Sequence, residues 1–418
     1  MAHGTAVVGR REVPSSAVRH YFDIAADKLG LHPEMRWLLS VPFREMTVEL
    51  PLRRDDTRLQ LFRGYRVQHN GVRGPLIGPV RFQSGLELET LRAAAESMTW
   101  RCAVANVPWG GAAGGIACDP AQLSHAEFER LVRRYGARMR EMLGTYHDVC
   151  APGSNAEPET MLWIAEECSA AQTDSLVPVL GKRAQNGSFI DSDRLIGRAT
   201  AKLITHVAQH AEFSLEGLRV AISSLDRSAF HTAFALNQLG CSAVAVSDVS
   251  GGLRCSTGID IEPLAHHLDR TGSLAGFEGA AETVDIHAID CDVLVLGAPE
   301  GTLNHSAATD VQAKLVVETS ELVITPDVDH YLASRGVLVI PDLIGSAAWV
   351  LAANAEWSNA VQRLSPSEEK IGHEIETALL RTYEQVCRSA SRDQIGLRTA
   401  AYSLAIERVA RCERLRVA

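Results

Sequence analysis

Short apolar runs recur along the second half of the chain and limit what it can fold into. Each run is rich in valine, isoleucine and leucine, and helical or loop stretches separate one run from the next. Such runs are typical of strands in a parallel sheet that helices cover on both faces. We therefore predict a Rossmann-like domain over about residues 180–352. The runs lie at 219–222, 243–246, 293–296, 315–317 and 337–340.

The first region has a different pattern, which predicts an α+β domain. Apolar side chains recur at helical intervals in three segments, and two further segments fit strands. The third helix is expected to begin with a capping box formed by Ser124 and Glu127. Residues 353–418 are helical and charged, and we expect them to return to the first domain, 1–179. The predicted helices are 15–45, 87–104 and 123–143, and the predicted strands are 45–52 and 59–67.

Composition excludes several classes of function. The chain has 418 residues and a net charge of −10, so it lacks the basic excess that binds nucleic acid or an anionic membrane. Its apolar runs are too short to span a membrane. The nine cysteines are never spaced as Cys-x-x-Cys, and a chain of this length does not need disulfides. We expect a cytoplasmic protein with reduced thiols and without nucleic-acid or membrane partners.

One stretch, 107–116, stands out because it contains four glycines within six residues, between Pro108 and Asp119. Glycine permits positive φ and close approach of the backbone. Two interpretations follow from the residues alone: an ordinary structural loop, or a loop that brings main chain against a ligand.

The stretch resembles the loop that carries the catalytic lysine in the glutamate/leucine/phenylalanine/valine dehydrogenase family, usually Gly-Gly-Ala-Lys-Gly-Gly. The resemblance, which is to glutamate dehydrogenase, covers nearly the whole chain. It implies an α/β protein with an amino-acid-dehydrogenase-like two-domain fold. An α+β substrate and oligomerisation domain (1–179 and 353–418) would lie beside the Rossmann-like domain (180–352), in a homo-oligomer, expected to be a hexamer. Further landmarks in family order lie at 64–70, 74–75, 98–100, 246–248, 336–342 and 398–402.

The resemblance breaks at the polar residues of the family's site. The substrate-binding lysine becomes Ile77, and the lysine after Met-Thr-x becomes Arg101, which keeps the charge with a different geometry. The catalytic lysine becomes Ala113 and the catalytic aspartate becomes Gly153. A serine near the C-terminal Glu-Trp pair becomes Ala353. Losing an electrostatic stabiliser costs roughly 10²–10³ in rate and losing a general acid–base roughly 10²–10⁴, so we expect little dehydrogenase activity.

The segment that resembles the family's nucleotide site has changed as well. The family carries Gly-x-Gly-x-x-Gly after the first strand of the second domain, where this chain has Ser224, Asp226 and Ala229. Asp226 places a carboxylate where a diphosphate would lie, and Arg227 could soften the repulsion. Asp248 stands at the end of the second strand, but one acidic residue is weak support for a cofactor site. We expect that NAD(P) binding is lost and that no other cofactor replaces it.

The remaining polar residues have two interpretations each. Cys150 is either a nucleophile or a buried small hydrophobe, and the second is favoured. Asp148, Asn155 and Arg198 either face the cleft or make structural hydrogen bonds. The histidine pairs 206/210 and 266/267 could hold a metal, but a solvated helix face explains them better, so we predict no metal site. The candidate pocket residues are Ile77, Arg101, Ala113, Cys150, Gly153, Asn155, Arg198 and Ala353.

Three functions remain open on this sequence. The favoured one is a pseudoenzyme that has lost amino-acid dehydrogenase chemistry and serves assembly or regulation, with an active paralogue as a potential partner. The second is a repurposed non-redox enzyme of specialised metabolism that acts on an amino-acid-like or apolar substrate in the old cleft. The third is an amino-acid oxidoreductase with residual activity and an altered mechanism.

Overall fold

The computed structural model describes residues 14–169, 179–181, 191–283, 285–297 and 303–417. Within those ranges the chain forms two sheets with helices around them. The helices are α1 (Pro14–Lys28), α2 (Pro33–Ser40), α3 (Leu88–Val104), α4 (His125–Met139), α5 (Pro158–Ser169), α6 (Ser192–His210), α7 (Arg227–Gln238), α8 (Ile261–Thr271), α9 (His305–Asp310), α10 (Pro326–Ser334), α11 (Asp342–Gly345), α12 (Ala347–Gln362), α13 (Glu368–Asp393) and α14 (Leu397–Val417). The strands are β1 (Arg44–Arg53), β2 (Leu59–Asn70), β3 (Leu76–Gln83), β4 (Gly110–Ala117), β5 (Asp148–Pro152), β6 (Arg219–Ser223), β7 (Ser242–Asp248), β8 (Gly251–Arg254), β9 (Ala281–Thr283), β10 (Val293–Leu296), β11 (Leu315–Glu318) and β12 (Leu338–Ile340).

The first sheet is mixed and has the strand order β1-β2-β4-β3-β5. β1, β2 and β4 pair antiparallel, whereas β4, β3 and β5 run parallel. α3 lies against one face, and α4 and α5 cover the other with an apolar cluster that includes Tyr135 and Ile164. The capping box predicted at Ser124 and Glu127 is confirmed at the start of α4. The α+β pattern of the first region is therefore confirmed.

The glycine-rich stretch is a strand, so the interpretation as a loop is wrong. β4 is the middle strand of the first sheet and is almost completely buried. A Cβ on Gly111 would overlap the backbone of α3 at Thr99, and one on Gly115 would overlap the carbonyl oxygen of Arg81. Gly115 also has a φ of +152°. The glycines are needed because the helix and the neighbouring strand approach β4 too closely for side chains.

The second sheet has the order β12-β11-β10-β6-β7-β8-β9. Its first five strands are parallel, and their side chains alternate between two buried apolar clusters, one on each face. The predicted Rossmann-like domain is confirmed, with one correction: β8 and β9 add an antiparallel edge that the sequence pattern did not reveal. The strand order reverses between β6 and β10, which is where doubly wound sheets open a ligand crevice.

The helix predicted over 15–45 is wrong in its extent. α1 ends before Gly30, whose φ is +58°, and α2 ends four residues before β1 begins. At the other end of the chain, α14 packs on α1 and α3 and α13 packs on α6. The boundaries at 179/180 and 352/353 stay a prediction. Of the helices described, none is both long and apolar enough to cross a membrane.

Candidate functional site

Two arginines from the first domain meet a carboxylate from the second. Arg81 lies near the end of β3, Arg101 lies in the last turn of α3, and Glu321 follows β11. The Nη2 atom of Arg81 donates a hydrogen bond of 2.8 Å to Oε2 of Glu321, and Arg101 Nη2 lies 3.8 Å from Oε1. The Glu321 side chain is 15% exposed and that of Arg101 is 12% exposed. Burial alone would raise the pKa of Glu321, but Arg101 and Arg81 hold it below its usual value.

A second buried charge cluster continues from this contact. Arg398 of α14 lies 2.6 Å from Glu318, 3.0 Å from Asp329 and 3.1 Å from Asp342. Asp342 also lies 3.9 Å from Arg101, so it links the two clusters. Burial raises the pKa of Glu318 to about 7, against the opposing charge of Arg398. The cluster fixes α14 to the carboxyl edge of the second sheet, close to the arginine pair.

The two family catalytic positions lie in the same part of the first sheet. Ala113 precedes Gly114, which is in register with Val80 of β3, and the amide of Gly153 donates a hydrogen bond of 3.1 Å to the carbonyl oxygen of Val80. Ala113 is fully buried in a cluster with residues of α3. Neither alanine nor glycine has a side chain that can transfer a proton. Gly153 also lies beside Arg81, because a Cβ on it would stand 2.9 Å from the Arg81 side chain.

Of the other positions expected around a substrate, two contribute only apolar packing. Ile77 is fully buried in β3, in register with Gly111 and Val149. Ala353 is buried in α12. Arg101 is therefore the candidate from this group that brings a charge to the domain interface.

The three polar residues with two open interpretations, a cleft-facing one and a structural one, each contact another part of the chain. Asp148 accepts hydrogen bonds from Arg66, including one of 2.9 Å from Nε, and forms a fully buried ion pair with it. Asn155 donates a hydrogen bond of 2.7 Å to the carbonyl oxygen of Phe82. Arg198 pairs with Glu376 of α13 at 3.0 Å. These contacts favour the structural interpretation, and a role of Asn155 and Arg198 in a substrate pocket stays a prediction.

Cys150 and the histidine pairs have ordinary surroundings. Cys150 is fully buried in β5, and burial raises the pKa of its thiol to about 12, which disfavours the thiolate that a nucleophile needs. The rings of His206 and His210 lie 4.2 Å apart on α6, and His267 contacts the carbonyl oxygen of Ala275. Among the described residues, no group of three or more histidine, cysteine, aspartate or glutamate side chains could hold a metal ion.

The turn after β6 is closed by its own side chains. Ser224 has a φ of +59°, in the left-handed region that glycine adopts more readily than serine does. Asp226 caps α7: its Oδ1 accepts hydrogen bonds of 2.8 Å from the amide of Ala229 and 2.9 Å from the hydroxyl of Ser228. Arg227 pairs with Asp193 at 3.0 Å rather than with Asp226. The helix N-terminus that would receive a diphosphate is thus satisfied by a carboxylate.

A cavity of about 330 Å³ opens at the carboxyl end of β7, beside Asp248. One oxygen of Asp248 accepts a hydrogen bond of 2.6 Å from the amide of Ser250, and the other accepts one of 3.0 Å from the amide of Leu274. The Nε2 atom of His287 is buried there without a hydrogen-bond partner in the described part of the chain. The lining residues are Ser247, Asp248, Gly251, Gly252, Thr283, Ile286 and His287.

Sequence reasoning missed the main contacts of this site. Arg81 ends the segment 74–81, which resembles the family's Gly-Pro-x-Lys-Gly-Gly-x-Arg motif, and Glu321 lies in 318–322, where the family has Glu-Gly-Ala-Asn-Gly. Nothing in the sequence pairs positions 240 residues apart. The cavity beside Asp248 depends on β8 and β9, which were not predicted. The only available signal was the presence of two arginines in segments that resemble substrate-binding motifs.

Most of the chain is similar to known proteins of one family. The model of the Glu/Leu/Phe/Val dehydrogenase dimerisation domain matches residues 42–170, and that of glutamate/leucine/phenylalanine/valine dehydrogenase matches 187–416. The NAD-specific glutamate dehydrogenase of Staphylococcus aureus (strain COL) is 32% identical over 394 residues, which are 94% of this chain and 95% of that protein.

Two solved structures have the same architecture. The hetero-hexameric glutamate dehydrogenase from Thermus thermophilus, in its leucine-bound form, is 33% identical and superposes with a TM-score of 0.91 over 99% of both chains. Glutamate dehydrogenase from Peptoniphilus asaccharolyticus is 25% identical, with a TM-score of 0.82 over 97% of this chain and 99% of that chain.

These similarities correct two expectations. The pseudoenzyme interpretation and the expected loss of NAD(P) binding are contradicted, because the similarity to an NAD-specific glutamate dehydrogenase extends over nearly the full length of both proteins. Two family models together match most of the sequence, and the fold is that of glutamate dehydrogenases. The chain belongs to the glutamate/leucine/phenylalanine/valine dehydrogenase family.

Proposed function

We propose that this chain is an amino-acid oxidoreductase of the glutamate dehydrogenase type and that it works with NAD(P) in an oligomer. The observation that carries the proposal is the arginine pair at the domain interface. Arg81 and Arg101 hold a carboxylate there, that of Glu321, which is the same chemical group as the side chain of free glutamate. Arginine suits this task because its planar guanidinium matches a carboxylate and stays charged.

The proposed cofactor fits the structure at one end. The cavity beside Asp248 lies within the size range of small-molecule sites, and an acidic residue at this strand end is suited to bind ribose hydroxyls. The diphosphate end fits less well, because Asp226 occupies the N-terminus of α7. When bound, NAD(P) would accept hydride from the amino acid. In this proposal Asp248 holds the ribose, and the side chain of Asp226 leaves the N-terminus of α7 so that the diphosphate can bind there.

A second candidate concerns the partner. Ala113 and Gly153 cannot transfer protons, and the similar Thermus thermophilus enzyme is hetero-hexameric. This combination favours a mixed hexamer, in which the chain assembles with a second glutamate dehydrogenase subunit. Leucine, present in that Thermus structure, is then a candidate effector. A homohexamer is the simpler form of the same proposal.

The surface around the edge of the first sheet supports assembly. β1 pairs only with β2 among the described strands, so the other edge of a ten-residue strand is open. Trp37 and Phe43, each 68% exposed, lie near one end of β1, and Leu59 and Leu61 lie near the other. Exposed apolar groups next to an open edge are typical of subunit contacts.

The test is to purify the chain alone and after co-expression with a glutamate dehydrogenase subunit from the same genome. Light scattering gives the mass of each assembly, and formation of reduced nicotinamide from glutamate with NAD⁺ or NADP⁺ gives the activity. We expect an oligomer with turnover in at least one preparation. Replacement of Arg101 by glutamine should raise the KM for glutamate in the active preparation. A monomer that neither turns over glutamate nor joins the second subunit would contradict the proposal.

A further inference from the structure

We infer that Glu321 is an internal ligand of the carboxylate site. Its side chain occupies the Arg81–Arg101 pair and holds the two domains together, and an incoming amino-acid carboxylate takes its place. The inference rests on the proposed function, since it concerns the same site. It assigns to Glu321 the control of access to that site.

The contact joins parts of the chain that are distant in sequence. Arg81 and Arg101 belong to β3 and α3 of the first domain, whereas Glu321 follows β11 of the second. The three side chains are mostly buried. A buried ion pair resists separation, because removal of one partner leaves an uncompensated charge. Glu321 therefore acts as a latch across the cleft.

The latch leaves Arg101 poorly satisfied. The Nε and Nη2 atoms of Arg101 are buried, yet they find no hydrogen-bond partner among the described residues. The Nη2 atom lies 3.8 Å from Glu321 and 3.9 Å from Asp342, distances that are too long for hydrogen bonds. A carboxylate placed between the two arginines could accept from both. An external ligand thus gains contacts that Glu321 does not make.

The space beside the arginines is too small for an amino-acid carboxylate to bind while Glu321 is also there. The cavity beside Arg81 and Glu321 measures about 10 Å³, which holds no more than one water molecule. An amino acid cannot enter while Glu321 stays in place. In the family's Glu-Gly-Ala-Asn-Gly motif, which corresponds to 318–322, asparagine stands at the position of Glu321, so the latch is a property of this chain. A competitor that belongs to the same chain lowers the apparent affinity for the external carboxylate, because only molecules in which the site is free can bind it.

The experiment compares the full-length assembled protein with Glu321→Gln, which keeps the size and removes the charge. Glu282→Gln, at an exposed position of β9, is the control for loss of one negative charge. Hydrogen–deuterium exchange is followed in peptides that cover 78–83 and 319–324, and calorimetry measures binding of glutamate and of glutarate. We expect faster exchange in both segments and about tenfold tighter binding in Glu321→Gln only.

The outcomes separate the latch from the proposed function. Exchange that is unchanged in Glu321→Gln, or weaker carboxylate binding, overturns the latch even if the enzyme is active. Faster exchange in Glu321→Gln with no glutamate turnover by any preparation keeps the latch and rejects the proposed function. Should Glu321→Gln fail to fold, Glu321→Asp keeps the charge on a side chain one methylene shorter. Because the shorter side chain reaches the arginines less well, we expect the Glu321→Asp variant to exchange faster than the wild type in the same two segments. An exchange rate equal to that of the wild type would overturn the latch.

Discussion

Gly153 and Val80 lie so close that a Cβ on Gly153 would stand 2.8 Å from the carbonyl oxygen of Val80. The two backbones are joined by a hydrogen bond of 3.1 Å in the same place. The family's catalytic aspartate therefore cannot simply be restored at this position, since any side chain there requires β3 or the segment after β5 to move.

Gly153→Asp should lower the free energy of unfolding by about 1–3 kcal/mol, because the new side chain meets backbone rather than a flexible group. Urea denaturation measures the change. Gly396→Asp is the matched control: no described atom lies within 4 Å of a Cβ there, and the residue directly precedes α14, where aspartate can cap the helix. Equal losses in the two variants would disprove the steric argument.

Asp226→Gly should tighten NAD⁺ binding by between about tenfold and a thousandfold, because it removes a negative charge from the N-terminus of α7. The cost to stability is small, since glycine is tolerated as an N-cap. Calorimetry with NAD⁺ measures the affinity. Asp260 caps α8 in the same way, so Asp260→Gly serves as the control and should leave NAD⁺ binding unchanged. No gain at Asp226 would mean that the carboxylate does not oppose the diphosphate.

Glu96 should make the protein less stable as the pH rises. Burial raises its pKa to about 7 from an ordinary value of 4.5, although Trp100 Nε1 donates a hydrogen bond to it at 3.3 Å. The folded state therefore keeps a proton that the unfolded state releases. The stabilisation is complete below pH 4.5 and is lost as the pH passes through about 7. Denaturation midpoints between pH 5 and 8 should fall less steeply in Glu96→Gln than in the wild type. Glu34→Gln, at a side chain that is 91% exposed, is the control and should reproduce the wild-type slope.

Asp148→Asn should destabilise the protein by about 3–5 kcal/mol, because it leaves the fully buried Arg66 without its counter-ion. The pair reaches from β2 across β4 and β3 to β5, so its loss affects the whole first sheet. The exposed pair Arg63–Glu49 provides a comparison, and Glu49→Gln should change the stability by less than about 1 kcal/mol. Thermal denaturation of both variants is sufficient. A small effect at Asp148 would show that the buried charge is solvated after all.

Local patterns predicted much of the fold. The parallel strands of the second sheet could be predicted, because strands that are buried on both faces need continuous apolar runs. The start of α4 was visible because a capping box is a local signal. β4 was not, since glycine has low strand propensity and its role depends on how closely α3 approaches. β8 and β9 are the last two strands at one side of the sheet, and they are too short and contain too few apolar residues to give a periodic signal.

The site was less predictable than the fold. Substitutions at Ala113 and Gly153 could be read from motif positions, but the meaning of a substitution depends on its neighbours in space. Asn155 and Arg198 were polar candidates by sequence, and only tertiary contacts show that they bind Phe82 and Glu376. The pairing of Arg81 with Glu321 arises from domain arrangement, which no local pattern encodes.

Two different constraints act on residues of β4 that are at most four positions apart. At Gly111 or Gly115 any side chain would overlap backbone, so sterics oppose substitution there whatever reaction the protein carries out. Ala113, between them, already has a Cβ, which packs in a buried apolar cluster with residues of α3, so neighbouring side chains rather than backbone limit what fits there. The glycines are thus fixed by the approach of neighbouring backbone, whereas the residue at 113 is limited by the side chains that pack around it. Related chains that share this strand can therefore keep the same glycines and still differ in the residue at position 113.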